Sequence, residues 1–298
     1  MSTLDSSSEI RRPSSWTHLR LERRSPSYWR VTFEHPPINT VTATTIAELS
    51  ELVELIEAAG GLNVVVFESA NPDFFLAHYD TENDPAKTAS MPAGPTGMHP
   101  WLDLMARLSR APVVSVAAIR GRTRGAGSEF VLACDLRFAS RENTLIGQFE
   151  VGAGFVPGGG PTARLPRLVG RGRALEILLV ADDHDGPRAE RYGYVNRTIA
   201  DAELDAEVDA LASRIARFDH DAIAGTKAHV DRATLPADDE LAAALPDFFA
   251  AFGRPGPQAR QAKLAALGLN SDGDLERNLG RRVVEAAPDP TYPASGPR

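Results

Sequence analysis

Residues 121–129 read Gly121-Arg-Thr-Arg-Gly125-Ala126-Gly127-Ser128-Glu129, between an apolar run ending at Ile119 and a second, Phe130-Val-Leu-Ala-Cys134. Glycines at such a junction let the backbone turn sharply and approach a ligand closely. A helix starting there would aim free N–H groups at an oxygen anion. Spacing alone leaves ordinary turn chemistry equally open. A dinucleotide site is disfavoured, because Gly125-Ala-Gly127 is followed three residues later by Phe130 rather than by a third glycine. Ser128 lacks the Gly-x-Ser-x-Gly frame of a hydrolase nucleophile.

Outward from this junction the chain alternates strand-like and helix-like segments, which predicts an α/β fold. Strands are expected at Tyr28 to Phe33, Val64 to Phe67, Val113 to Ile119 and Asp135 to Ala139. The steps between Ile46, Leu49, Leu52, Val53 and Ile56 lay one apolar stripe on a helix. Further helices are expected at about 161–179, 204–217, 221–233 and 258–267. Residues 81–100 hold four prolines and no periodicity, as expected of an irregular segment or a lid. Beyond Leu235 the chain reads as a separate helical extension carrying the cluster Phe248, Phe249 and Phe252. Residues 1–15 are Ser-rich and read as a disordered leader, and 287–298 as a loose tail.

The composition narrows the function. With 32 Lys+Arg against 40 Asp+Glu, the net charge of −8 argues against a dedicated nucleic-acid binder. A hydrophobic share of 43% over 298 residues is enough for a core without disulfides or a structural metal. Cys134 stands alone, so neither an internal disulfide nor a cysteine zinc cluster can form. No window approaches a membrane span and no secretory apolar region opens the chain, so a cytoplasmic location is expected.

Two glutamates stand out as acid/base candidates. Glu129 lies in the Gly-rich turn, and Glu150 ends Gly147-Gln-Phe-Glu150 before a second Gly-rich stretch. Apolar burial would raise a carboxyl pKa toward the working range of proton transfer. The competing expectation is that each pairs with a nearby arginine, Arg122, Arg124 or Arg164. His78, in Phe75-Leu76-Ala77-His78-Tyr79-Asp80, could be a base or an ordinary hydrogen-bonded histidine.

Taken in order, these segments resemble the crotonase superfamily, the enoyl-CoA hydratase/isomerase family, over roughly residues 27–235. The resemblance rests on Ala111-Pro-Val-Val-Ser-Val-Ala-Ala-Ile-Arg-Gly121, the Gly125–Glu129 turn and Cys134-Asp-Leu-Arg-Phe-Ala139. Gly147-Gln-Phe-Glu150, Phe155-Val-Pro157-Gly158, Ala163 to Gly170 and Gly225-Thr-Lys227 continue it, and Pro36-Pro-Ile-Asn39 precedes it. The family likeness implies a spiral of ββα repeats over 16–200, followed by a helical trimerisation region over 201–286. It implies an acyl-CoA substrate, coenzyme A being part of that substrate, and no separate cofactor or metal. A homotrimer or a dimer of trimers is implied as the assembly.

By the same likeness the oxyanion donors fall on the N–H groups of Tyr79 and Ala126, and the catalytic pair on Glu129 and Glu150. Ala77, His78, Asp80, Gly125, Gly127, Pro157 and Gly158 are the expected substrate-contacting residues. Two N–H donors facing a developing enolate oxygen contribute roughly 2.7–4 kcal/mol each. Two carboxyls can hold a water between them, one removing its proton and the other supplying one to the α-carbon. The leading expectation is therefore hydration of an enoyl-CoA. An isomerase using Glu150 as main base, a lyase or hydrolase on the same oxyanion hole, and a non-catalytic thioester-binding relative are the alternatives. The chain departs from the family pattern at His78-Tyr79, where a glycine and a small residue are usual, and at Ala126, where glycine is usual.

Overall fold

The computed structural model describes Glu9–Ile10, residues 16–82 and residues 85–287. Apart from Glu9–Ile10, the expected leader lies outside the described residues, as does the tail beyond 287. Eleven strands form among the described residues: β1 (Glu9–Ile10), β2 (Leu19–Ser25), β3 (Tyr28–Phe33), β4 (Val64–Ser69), β5 (Phe74–Leu76), β6 (Val114–Ile119), β7 (Arg122–Arg124), β8 (Leu136–Ser140), β9 (Leu145–Gly147), β10 (His184–Asp185) and β11 (Arg197–Ile199).

They build two sheets. The larger has the order β1-β2-β3-β4-β6-β8-β11 and is parallel from β3 onward, while the smaller runs β10-β9-β7-β5. Strands alternate between them: β4 belongs to the large sheet and β5 to the small, then β6 and β7, then β8 and β9. Helices Pro100–Arg110, Ala126–Ala133 and Pro161–Val169 follow these successive pairs. This is the spiral of ββα repeats that the family likeness implies.

The four longer strands of the expectation are present, each within a residue or two of its expected limits. Their Val-rich runs are buried on both faces, as parallel strands require. Helix Ala43–Ala58 buries the stripe Ile46, Leu49, Leu52, Val53 and Ile56, and the Thr42 hydroxyl caps it by accepting from Thr45 N at 3.2 Å. Phe33, Phe75 and Phe67 meet Phe130 or one another edge to face, with centroids 5.0–5.5 Å apart. That aromatic knot joins both sheets to the Gly-rich helix. Each fully buried ring contributes roughly 1.5–3 kcal/mol.

Three expectations change. Residues 81–100 are not irregular throughout: a short helix spans Pro85–Ala89, and Pro100 is the first residue of helix Pro100–Arg110. Proline suits that first helical position because its missing N–H has no intrahelical role there. The single helix expected at 161–179 is two, Pro161–Val169 and Arg171–Val180, divided at Gly170 with φ of 80°. The chain beyond Leu235 is not a separate extension. Its helices fold back on the spiral, and Phe248 and Phe252 pack against Phe155 with centroids 5.4 and 5.0 Å away. Among the described residues no helix is long and apolar enough to cross a membrane.

Candidate active site

The small sheet decides where the chemistry gathers. Strands β5, β7 and β9 are parallel neighbours, so their C-terminal ends emerge side by side. The chain leaving β5 carries His78 and Tyr79, that leaving β7 carries Ala126 and Glu129, and that leaving β9 carries Glu150. All five line one narrow cavity with about 70 Å³ open to a water-sized sphere. Crevices at the C-terminal ends of parallel strands are the usual place for ligands in α/β sheets.

Backbone bonds lock the two Gly-rich and His-containing segments together. Gly127 N donates to Ala77 O at 3.1 Å, and an added Cβ at Gly127 would lie 1.8 Å from Leu76 O. Only glycine permits that approach. Residues 39–41 run beside the other segment, with Val41 N donating to His78 O and Asp80 N to Val41 O, both at 3.0 Å. The buried Asn39 amide reinforces this, donating to Phe75 O at 3.1 Å. Ala126 begins helix Ala126–Ala133, so its N–H has no intrahelical acceptor. The departure from glycine at Ala126 is harmless to the backbone, because the positive φ of 50° falls on Gly125 instead.

Neither glutamate pairs with an arginine. Arg124 forms a bidentate pair with Asp183 at 2.7 Å on both oxygens, and Arg122 donates to the Arg277 carbonyl at 2.8 Å. Arg164 has no bond to either carboxyl. Glu129 instead accepts Trp101 Nε1 at 2.9 Å on one oxygen and Gly159 N at 2.7 Å on the other. Burial raises its pKa, and those two donors oppose the rise by favouring the charged form. An added Cβ at Gly159 would lie 1.9 Å from Glu129 Oε2, so glycine there makes room for the carboxylate.

Glu150 sits in a different environment. Burial, and next the charge of Glu129, push its pKa up from 4.5 to about 8. The Gln148 amide nitrogen, turned toward it, reaches both carboxyl oxygens at 3.0 Å, while the amide oxygen accepts Ser128 Oγ at 3.0 Å. Ser128 also bonds the Tyr194 hydroxyl, so it supports this network and is no nucleophile.

Of the other expected residues, His78 and Gly158 line the cavity. Ala77, Gly125, Gly127 and Pro157 are not among the residues that line it. Asp80 faces an outer hollow lined also by His18, His35, Lys87 and Asn270. Sequence reasoning missed Trp101 and the far wall, where Leu245, Phe248, Phe249, Leu264 and Leu269 close the cavity. It also missed Glu276, whose Oε1 lies 2.7 Å from His78 Nε2 with both side chains buried. A period of Trp101, Leu102, Leu104, Met105 and Leu108 could have revealed the helix bearing Trp101. No local signal singles out Glu276, 198 residues from its partner.

A spiral of ββα units whose small-sheet loops bring two buried carboxyls to one crevice defines a crotonase-type protein. The family model for enoyl-CoA hydratase/isomerase matches residues 24–254, and the chain belongs to that family. A crystal structure of a candidate enoyl-CoA hydratase from Streptomyces avermitilis superposes with a TM-score of 0.86 at 40% identity, covering 92% of this chain and 98% of that one. Crotonyl-CoA hydratase of Syntrophomonas wolfei is 45% identical over 100 residues, 34% of this chain and 38% of that protein. The fatty acid oxidation complex subunit alpha of Vibrio campbellii is 29% identical over 187 residues. That match takes in 62% of this chain and only about a quarter of the Vibrio subunit, 26%.

Proposed function

We propose that the chain hydrates the double bond of a 2-enoyl-CoA thioester. The observation that carries this reading is the pair of enclosed carboxyls in unlike environments, on the same crevice as Tyr79 and Ala126. The N–H groups of Tyr79 and Ala126 receive the thioester oxygen as it gains enolate charge. Glu129, whose carboxylate accepts bonds from Trp101 and Gly159 against the burial that raises its pKa, takes a proton from water, which adds at the β-carbon. Glu150, holding its proton to about pH 8, delivers it to the α-carbon. Water loses a proton to one carboxylate and the enolate gains one from the other, so the pair ends with its proton exchanged. The apolar far wall, with Phe248, Phe249 and Leu264, suits the acyl chain rather than the polar coenzyme.

Absorbance at the conjugated enoyl-thioester band tests the reading, with crotonyl-CoA and a longer enoyl-CoA as substrates. Loss of absorbance is expected for the wild type, and its abolition in both Glu129→Gln and Glu150→Gln. Retained turnover in Glu129→Gln would instead favour double-bond isomerisation through Glu150.

The proposal extends to a trimer of the chain. Helix His220–Thr234 buries none of its 15 residues. Nearby Phe218 is 49% and Val230 55% exposed, and the enclosed Arg164 Nε has no hydrogen-bond partner among the described residues. Such a face matches a subunit contact better than a solvated surface. Light scattering after size exclusion reads the mass; a monomer at micromolar concentration would remove this part of the proposal.

A further inference from the structure

His78 is enclosed and both of its ring nitrogens face acceptors. Nδ1 lies 3.0 Å from the Tyr79 carbonyl, and Nε2 lies 2.7 Å from Glu276 Oε1. A carbonyl only accepts, so Nδ1 carries hydrogen. Glu276 Oε1 already accepts the Asn270 N–H at 2.8 Å, which favours a carboxylate there and a second hydrogen on Nε2. The arrangement that satisfies these atoms is an imidazolium against a carboxylate. Burial opposes charge on both groups, yet Glu276 holds the His78 pKa above its ordinary value and His78 holds that of Glu276 below. The other charged groups facing the pair are Arg124, which opposes charge on His78, and Glu150.

The partner arrives from the far end of the chain and is anchored to the site's own strands. Arg124 donates to the Glu276 carbonyl at 2.7 Å and Arg122 to the Arg277 carbonyl at 2.8 Å. Arg277 in turn reaches Asp73 at 3.0 Å, just before β5. The His78 Cβ lies 3.2 Å from where a Cβ on Gly125 would stand, and its ring meets Phe149 edge to face at 5.2 Å. The pair therefore sits where the segment carrying Tyr79 meets the Gly125 turn that leads into Ala126.

We propose that Glu276 and His78 form a positioning pair for the oxyanion hole, holding the Tyr79 carbonyl through His78 Nδ1 and so fixing the Tyr79 backbone beside the Gly125 turn. The C-terminal segment is then a working part of the thioester site and not only an assembly element. This rests on the hydratase reading for the role of Tyr79 and Ala126.

Hexa-2,4-dienoyl-CoA is the probe, because the red-shift of its absorbance on binding reports how strongly its carbonyl is polarised. Glu276→Gln, His78→Gln and the double variant are compared with wild type, with folding checked by circular dichroism. Expected are loss of most of the red-shift, a 30- to 100-fold fall in kcat for crotonyl-CoA, KM within about threefold, and a double variant no worse than either single. A full red-shift and wild-type kcat in folded Glu276→Gln would overturn the proposal and leave the pair as a tail clamp. Should the variants not fold, ring ¹⁵N shifts of wild-type His78 decide: both nitrogens protonated from pH 6 to 8 supports it, and a neutral ring at pH 7 overturns it. Wild type that neither binds nor shifts the probe defeats the hydratase reading itself, and this inference with it.

Discussion

Replacing Glu150 by glutamine should change how the protein responds to alkaline pH. The side chain is enclosed, and burial together with the charge of Glu129 holds its proton to about pH 8, against 4.5 for an unperturbed glutamate. In the unfolded chain the same carboxyl ionises near the unperturbed value. Between the two, the folded protein binds a proton that the unfolded chain has released. The stabilisation this provides is complete below about pH 4.5 and is lost as pH rises toward about 8. At about 1.4 kcal/mol per pH unit the loss amounts to roughly 5 kcal/mol. Glutamine has no proton to lose, so the variant escapes the penalty. Urea denaturation of wild type and Glu150→Gln at pH 5, 7 and 9 measures the difference, at one protein concentration so that assembly contributes equally. The variant should gain several kcal/mol on wild type between pH 5 and 9. Two curves that stay parallel across that range would refute the argument, since Glu150 would then ionise alike in both states.

Three further outcomes follow from single contacts. Gly159→Ala places a methyl against Glu129 Oε2, so turnover should fall at least 100-fold while dienoyl-CoA binding, followed by calorimetry, persists. Trp101→Phe removes one donor from the Glu129 carboxylate, a charge-assisted bond worth about 1.5–3 kcal/mol. The acidic limb of its kcat/KM profile should move to higher pH by about one unit or more, because the charged form loses support. Gly127→Ala forces a methyl onto the Leu76 carbonyl, and at about 3 kcal/mol of overpacking should lower Tm by roughly 6–12 °C, read by calorimetry.

How much of this was legible in the sequence depended on length and locality. Six-residue strands rich in apolar residues such as β4 and β6 declare themselves, and so does the stripe on helix Ala43–Ala58. The strands of the small sheet do not: β5, β7 and β9 have three residues each, too few to show a period. Helix Pro100–Arg110 was hidden behind the prolines that precede it, although Pro100 is its natural first residue. The two glutamates were visible as acids among small apolar residues. Their arginine partners were not realised, because Arg124 is taken by Asp183 and Arg122 by backbone carbonyls.

By itself, then, the sequence determined the α/β class, four strands of the large sheet and the turn from Gly121 to Glu129, because hydrophobic periodicity and glycine placement act over a few neighbouring residues. Only the tertiary structure decided that three short parallel strands bring Tyr79, Ala126 and Glu150 to one crevice. It also decided that helices after Leu235 close that crevice, and that Glu276 meets the buried His78 ring. Those contacts join residues up to 198 positions apart. They depend on how whole elements pack, and no local pattern records which distant side chain will arrive to satisfy a buried charge.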